Sequence, residues 1–174
     1  MSNKLKKGLF FFIILLASPI IGGIYGILND QISVSISPEY YTKFKFYQFG
    51  VSKFFNGSQS SIRVLAIYIG WMATWWMGLF IGIILSFVGL IIKDAKEMLQ
   101  TTFKSIFITI VTTFIISLIG LGCGYFIFSN KPMKESRRYN IEQIENKKLF
   151  VTIGSMHNFS SVSYTHLTLP TTPY

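Results

Sequence analysis

The chain has 174 residues, 51% of them hydrophobic, and 16 Lys and Arg against 7 Asp and Glu give it a net charge of +9. This length leaves room for one domain of three or four membrane spans. The charge does not indicate nucleic acid, because the basic residues are scattered at the edges of apolar segments, where they meet anionic lipid headgroups. We therefore expect the lipid bilayer, and no nucleic acid, as a partner.

Three apolar runs contain no Asp, Glu, Lys, Arg or His, and each exceeds the roughly 20 residues that cross a hydrocarbon core about 30 Å thick. Polar residues do not recur in them at every third or fourth position, as they do in helices of soluble proteins. The runs predict an all-α membrane protein, a small bundle of three transmembrane helices at Gly8–Leu28, Val64–Ile92 and Ser105–Asn130, with extramembrane loops 29–63, 93–104 and 131–161.

The first run is interpreted as an uncleaved anchor. Lys4, Lys6 and Lys7 resemble the basic start of a signal peptide, but the apolar stretch continues to Leu28, beyond the usual length of such a segment. Pro19 removes a backbone donor within the run, so we expect a kink there.

Each run also contains two glycines four residues apart. Small residues at this spacing share one face of a helix and let two backbones approach closely. The pattern predicts a compact bundle, or a homo-oligomer or membrane partner bound through the glycine-rich faces. The pairs are Gly22 and Gly26, Gly78 and Gly82, and Gly120 and Gly124.

The loop after the first run predicts two short elements. Polar and apolar residues alternate over 31–36, which favours a half-buried strand. Ser37, Pro38 and Glu39 then have the order typical of a helix start, and Gly50 is a helix end. One face of this helix would present Tyr40, Phe44 and Tyr47; in the alternative, a second strand, Phe44 and Phe46 alternate with Lys43 and Lys45. We prefer the helix, and either form suits a lipid headgroup surface.

The second and third runs offer two further features. Trp71, Trp75 and Trp76 are typical of an aromatic belt at headgroup level, with an aromatic ligand cage as the alternative. Cys123 is the single cysteine and is interpreted as a small packing residue.

The charged stretch 131–148 predicts a solvated helix with Lys134, Arg137, Arg138, Glu142 and Glu145.

The charge pattern around the runs bears on orientation. Three lysines before the first run place the N-terminus in the cytoplasm, whereas the basic residues of 131–148 oppose this assignment. Because the first helix usually dominates, we expect a cytoplasmic N-terminus in a bacterial inner membrane.

The last thirteen residues, 162–174, resemble the translation of a sequencing adapter. Segments of that origin are left out of fold reasoning. We therefore expect the native chain to depart from this sequence after about Ser161, and we assign no role to His166.

Three motifs occur along the chain: Asn29-Asp30-Gln31-Ile32; Ser37 to Phe46, reading SPEYYTKFKF; and Ala73 to Gly78, reading ATWWMG. Together with His157-Asn158, they resemble an uncharacterised group of bacterial multi-span membrane proteins. Asn29 stands where that group tends to have His, and Tyr41 where it has Phe. The resemblance implies a four-span parent, with a last span after the His-Asn pair, and implies no reaction.

Polar residues near the span ends are the candidate site. With the N-terminus inside, Asn29 and Asn158 fall on the same side of the membrane as the four candidate ligand-binding residues, Asp30, Glu39, Arg63 and His157. Carboxylate, imidazole and guanidinium groups at the mouth of a bundle suit a polar ligand. The simpler interpretation is capping of helix ends and anchoring to phosphates.

No motif of nucleophilic, phosphate-binding or metal chemistry occurs, so we expect no catalytic residue, no metal and no cofactor. Spans without ionisable residues also give little support to coupled transport. The sequence favours a non-catalytic structural role, or one in binding a partner or lipid. A small membrane enzyme or ligand-binding subunit is the alternative.

Overall fold

The computed structural model describes residues 2–131 and 144–168, with side chains as far as residue 162. Within these residues the chain is helical and forms no strand, which confirms the all-α fold. The four long helices are α1 (Asn3–Ile36), α4 (Gln59–Gly89), α5 (Ala95–Phe126) and α6 (Lys147–Thr168). Shorter elements are α2 (Pro38–Tyr40), a π-helical turn (Tyr41–Lys45), α3 (Phe46–Gln48), and 3-10 turns at Ser52–Phe54 and Phe128–Asn130.

The long helices alternate in direction. At one end, here the turn end, Asn3 Nδ2 donates to Lys93 O at 2.9 Å and Lys7 Nζ to Leu90 O at 2.6 Å. The start of α1 therefore lies beside the turn between α4 and α5. At the opposite end, here the loop end, residues 37–58 lie beside the start of α6. The main packed pairs are α1 with α4 and α5 with α6.

Three helical segments are long and apolar enough to cross a membrane, namely Asn3–Ile36, Gln59–Gly89 and Ala95–Asn130. At 1.5 Å per residue, the 34 residues of α1 extend about 51 Å, well beyond a core of about 30 Å. Large apolar side chains point outward along these helices, as Leu16, Phe87 and Phe107 illustrate with 60–67% exposure. These three helices correspond to the three predicted spans, although each helix starts earlier than its apolar run.

The predicted strand at residues 31–36 is wrong, because α1 continues through this segment to Ile36. Extending a formed helix costs little, whereas a lone strand has no partner to pair with. The serines fit the helix by bonding back to it, Ser33 Oγ to Asn29 O at 3.0 Å and Ser35 Oγ to Gln31 O at 2.8 Å. The helix ends only at Ser37, whose successor is Pro38.

The predicted helix start at Ser37 is confirmed. Its Oγ accepts from Tyr40 N at 3.3 Å, Pro38 is the first helical residue, and Gly50 follows the segment with φ of +68°. Of the aromatic residues predicted to share one face of this helix, Tyr40 is buried and Tyr47 is 65% exposed. The π-helical turn inserts an extra residue and rotates everything after it, so Phe46 and Lys45 are buried in place of Tyr47.

Glycines let the helix backbones meet, as the sequence predicted for a compact bundle. Gly22 of α1 lies against Gly78 of α4, where a β-carbon on Gly22 would be 2.9 Å from the Gly78 α-carbon. Gly124 of α5 faces Thr152 of α6 in the same manner. A β-carbon added to Gly124 would be 2.7 Å from the Thr152 α-carbon. All three predicted glycine pairs therefore pack within the chain.

The segment before α6 is described only in part. Residues 147–161, expected in a loop, belong to a helix that packs against α5. His157 consequently lies inside α6. Of the predicted solvated helix, Glu145 precedes α6, while Lys134, Arg137, Arg138 and Glu142 lie outside the described residues. Residues 162–168 of the expected non-native tail continue α6, and 169–174 lie outside the described residues.

The contact between α1 and α4 predicts a position-specific effect of adding one methyl group. In Gly78→Ala the β-carbon would be 2.5 Å from Ser18 O and 3.1 Å from the Gly22 α-carbon, and both are backbone atoms that cannot move aside. We expect a loss of about 1–3 kcal/mol in the free energy of unfolding, measured by denaturation in detergent. Gly122→Ala is the matched control, since nothing lies within 4 Å of its β-carbon. Equal stability of the two variants would contradict the interface.

Candidate functional site

The loop end is held together by a hydrophobic cluster that joins all parts of the chain meeting there. Its members come from α1, residues 37–58, α4 and α6, and the side chains of Tyr41, Phe46, Ile69, Ile153 and Met156 are almost completely buried. Residues 37–58 are therefore packed onto the ends of the long helices. This packing removes water from the polar groups that the same helices bring to the loop end.

Asp30 and His157 meet inside this end of the bundle. Asp30 lies two residues beyond the apolar run, where the continued helix α1 carries it into the interior, and His157 projects from α6. Their Oδ1 and Nε2 atoms are 4.0 Å apart, and the two side chains are 5% and 14% exposed. This separation exceeds the 2.7–3.2 Å of a direct N–H···O hydrogen bond, so the two groups face each other without bonding.

Two buried atoms of this pair have no hydrogen-bond partner in the described part of the chain, Asp30 Oδ2 and His157 Nε2. A buried polar group without a partner loses its hydration without compensation, at a cost of roughly 1–3 kcal/mol, and more if it is charged. The pair therefore has unused hydrogen-bonding capacity directed into a dry interior. Such capacity favours a ligand or an ordered water.

Two tyrosines of residues 37–58 enclose the pair. The Tyr40 ring stacks on the His157 imidazole, with 5.4 Å between centroids and 10° between planes. Tyr41 is fully buried, and its hydroxyl is 2.6 Å from Ser33 Oγ and donates to Asp30 O at 3.2 Å. Tyr41 thereby ties residues 37–58 to the turn of α1 that carries Asp30. We call Asp30, His157, Tyr40, Tyr41 and Lys45 the loop-end cluster.

Lys45 is the cation of the loop-end cluster. Its side chain is buried, with the Nζ atom 5.5 Å from the centroid of the Phe49 ring. In the described residues no carboxylate oxygen lies within 4.0 Å of Lys45. Burial lowers the pKa of Lys45, and the charge of Asp30 partly opposes this shift.

The same environment acts on the other titratable groups of the cluster outside the spans. Burial, and then the charge of Lys45, lower the pKa of His157 well below its ordinary value. Burial raises the pKa of the Tyr41 hydroxyl, and the charge of Asp30 adds to the increase. Both residues are consequently neutral at pH 7, and a neutral imidazole has one ring nitrogen that accepts a hydrogen bond.

The predicted site residues separate into two groups. Only Asp30 and His157 come together. Glu39 binds the start of α6, where its two carboxylate oxygens accept from Glu145 N at 2.6 Å and Asn146 N at 2.9 Å. Arg63 joins α4 to α1, donating to Gln31 Oε1 at 3.3 Å and Ser35 Oγ at 3.2 Å. These two contacts fit the alternative interpretation, capping and helix anchoring.

The two predicted asparagines also differ. Asn29 is buried, and its Oδ1 accepts from Ser117 Oγ at 3.4 Å, which connects α1 with α5 beside the cluster. Asn158 is exposed. Tyr25 extends the polar contacts between α1 and α6, with its hydroxyl 3.2 Å from Ser160 Oγ.

Sequence reasoning missed Lys45, Tyr40 and Tyr41 as neighbours of Asp30. The motif at 37–46 marks this segment. In an ordinary helix, however, Lys45 and Tyr47 would point in other directions than those that the π-helical turn gives them. Burial of Lys45 follows from that one inserted residue, which has no recognisable signature in the sequence.

Within the described residues no group of three or more His, Cys, Asp and Glu side chains could hold a metal ion. Comparison with protein-family models, curated proteins and solved structures finds no match to this chain.

The Glu39 contact predicts a local effect on α6. In Glu39→Ala the backbone N–H groups of Glu145 and Asn146 lose charged acceptors next to a helix start, so we expect about 1 kcal/mol of destabilisation confined to the docking of α6. Hydrogen exchange of residues 144–150 should accelerate while the turn end between α4 and α5 keeps its protection. Unchanged exchange at residues 144–150 would show that the cap does not form.

The state of His157 predicts a pH dependence of stability. Its folded pKa lies below the unfolded value of 6.5, so the unfolded chain binds the proton more readily. The contribution of His157 is complete above pH 6.5 and falls as the pH drops below it, by at most about 1.4 kcal/mol per pH unit. We expect the difference in unfolding free energy between the wild-type chain and His157→Gln to decrease as the pH falls from 7.5 to about 5.5.

The matched control is His166→Gln, which removes the other histidine of the chain. With His166→Gln as the parent, the remaining effect of His157→Gln comes from the only other histidine of the chain. A wild-type slope in His157→Gln would mean that His157 is not held neutral by burial.

Proposed function

We propose that this chain is a non-catalytic, multi-pass membrane protein that binds a small polar ligand between Asp30 and His157. The observation that carries the proposal is the pair of buried atoms, Asp30 Oδ2 and His157 Nε2, without hydrogen-bond partners in the described residues. The resemblance to a bacterial four-span group, the inner membrane and a cytoplasmic N-terminus are parts of this proposal that rest on the sequence alone. With that orientation, the loop end faces away from the cytoplasm.

The chemistry of the pair indicates the class of ligand. An ionised Asp30 is acceptor-only, and a neutral His157 with its proton on Nδ1 also accepts at Nε2. Two acceptors 4.0 Å apart are bridged by a molecule with at least two donor hydrogens. Water satisfies this minimum, and ammonium, primary amines and primary amides satisfy it as ligands.

The enclosure of the pair suits reversible binding. Tyr40 and Tyr41 belong to residues 37–58, which join α1 to α4 and which the hydrophobic cluster holds on the loop end. Release of this segment would open the pair to water, whereas docking would exclude water and strengthen every hydrogen bond inside. The proposal requires no bond to be made or broken in the ligand.

A purely structural role is the second candidate, and specific contacts favour it. Glu39, Arg63 and Tyr41 each join separate elements through formed hydrogen bonds. In that case the Asp30–His157 pair would be another contact between helices, completed by an ordered water.

The test uses histidine NMR on the His166→Gln protein, in which His157 is the sole histidine. Ammonium and acetamide serve as probes, with sodium chloride as the ionic control. We expect at least one probe to shift the His157 ring nitrogen resonances in a saturable manner, because the bound probe would donate a hydrogen bond to Nε2. Asp30→Asn should abolish saturation while the unfolding midpoint stays close to that of the parent.

The two candidates separate on the same samples. No saturable shift with either probe would refute the ligand site. The structural role would be supported if the His166→Gln parent shows no response to either probe and if Asp30→Asn and His157→Gln both lose the folded bundle.

A further inference from the structure

A second feature of the structure is a groove on the outside of the bundle, between α1 and α5, with a volume of about 820 Å³. Its walls are apolar over most of their length, and Arg63, Gln31 and Ser35 line it at the loop end. The other lining residues are the polar Asn29 and the apolar Tyr25, Leu28, Ile32, Ile36, Ile110, Val111 and Phe114. We infer that this groove binds one anionic glycerophospholipid, with its phosphate at Arg63 and an acyl chain along α1 and α5.

Charge complementarity identifies the headgroup. Arg63 is exposed, and in the described residues no carboxylate oxygen lies within 4.0 Å of its guanidinium. Its contacts to Gln31 Oε1 and Ser35 Oγ are to neutral acceptors at 3.3 and 3.2 Å. These contacts hold the guanidinium in place and leave its positive charge uncompensated. Guanidinium binds phosphate with two parallel hydrogen bonds, so a phosphodiester is the fitting counterion.

The position of Arg63 along the chain fits a headgroup. It directly precedes the uncharged run that begins at Val64, and it lies in the first turns of α4, which begins at Gln59. The start of a helix carries partial positive charge that favours an anion. Arg63 and this helix start thus present positive charge where apolar helix surface begins.

The length of the groove fits one lipid leaflet. Its lining on α1 extends from Tyr25 to Ile36, eleven helical steps or about 16 Å at the helical rise. Half of a hydrocarbon core about 30 Å thick is a similar distance. An acyl chain that starts at the glycerol beside Arg63 can therefore follow the apolar walls through one leaflet.

A zwitterionic headgroup suits the groove less well. A choline group would add a second cation near Arg63, whereas a glycerol headgroup leaves the net negative charge of the phosphate available. This inference concerns a surface separate from the Asp30–His157 pair, and it does not depend on the ligand proposed there.

The experiment is native mass spectrometry of the detergent-solubilised chain, titrated with phosphatidylglycerol or with phosphatidylcholine of the same acyl chains. We expect one tightly bound phosphatidylglycerol and weaker binding of phosphatidylcholine. Arg63→Gln should weaken phosphatidylglycerol binding about tenfold and remove the preference between the lipids. Lys104→Gln, which removes an exposed charge outside the groove, should change neither.

A second pair of variants tests the acyl chain site. Val111→Trp fills the groove and should weaken both lipids, whereas Val88→Trp adds the same ring to an exposed position outside the groove and should have little effect. Equal loss in Arg63→Gln and Lys104→Gln would overturn the headgroup assignment. A mass of two chains with no bound lipid would overturn the inference in favour of a second copy as the occupant.

Discussion

Close contact of helix backbones at glycine is the constraint on which the rest of this structure depends. Two such contacts build the bundle, Gly22 with Gly78 between α1 and α4, and Gly124 with Thr152 between α5 and α6. Apolar side chains gain little by leaving lipid for protein, so dispersion at short backbone distance must stabilise these pairs. Any side-chain atom added at these glycines pushes the helices apart, and with them the side chains that the helices position.

The loop-end cluster follows from that packing. Asp30 belongs to the first pair of helices and His157 to the second, so their 4.0 Å approach requires both pairs to be docked together. Tyr41, which donates to Asp30 O, then holds residues 37–58 over the loop end. Burial of Lys45 and His157 lowers the pKa of both groups. The polar groups of the cluster are thus removed from water, and two of their atoms have no hydrogen-bond partner in the described residues. The cost of this burial in stability is the physical reason to expect a function there.

The two proposed binding surfaces use opposite properties of the same end of the molecule. The Asp30–His157 pair is enclosed and offers acceptors to a small donor. Arg63, on the outside, offers a positive charge at the start of an apolar groove. One proposed site faces the interior of the bundle, and the other lies on its outer surface.

Much of the fold was predictable because its signals are local or compositional. Uncharged length identified the three spans, glycine spacing predicted their packing, and Ser37-Pro38-Glu39 indicated the start of α2. The predicted strand at 31–36 failed because alternation is ambiguous over six residues, and a preceding long helix decided the outcome. The π-helical turn at Tyr41–Lys45 changed which side chains are buried, with no signature in the sequence.

The candidate site was predictable only in part for the same reason. Proximity to span ends placed Asp30, Glu39, Arg63 and His157 at one end of the bundle, but it could not distinguish them. That distinction depends on where α6 begins and which of its faces meets α1. Helix α6 has a weaker apolar signal than the three spans, so its docking was not expected from hydropathy.

The most direct test of this account is the distance between Asp30 and His157. Asp30 and Asp94 are the only aspartates in the chain, and Asn in place of Asp94 preserves a favourable helix cap. Solid-state NMR on Asp94→Asn with His166→Gln, isotope-labelled only at aspartate and histidine, therefore observes one aspartate carboxyl carbon and one imidazole. The account predicts a measurable dipolar coupling between the Asp30 carboxyl carbon and the His157 Nε2 nitrogen, consistent with 4.0 Å from Oδ1 to Nε2. Absence of coupling in a folded, lipid-embedded sample would contradict it.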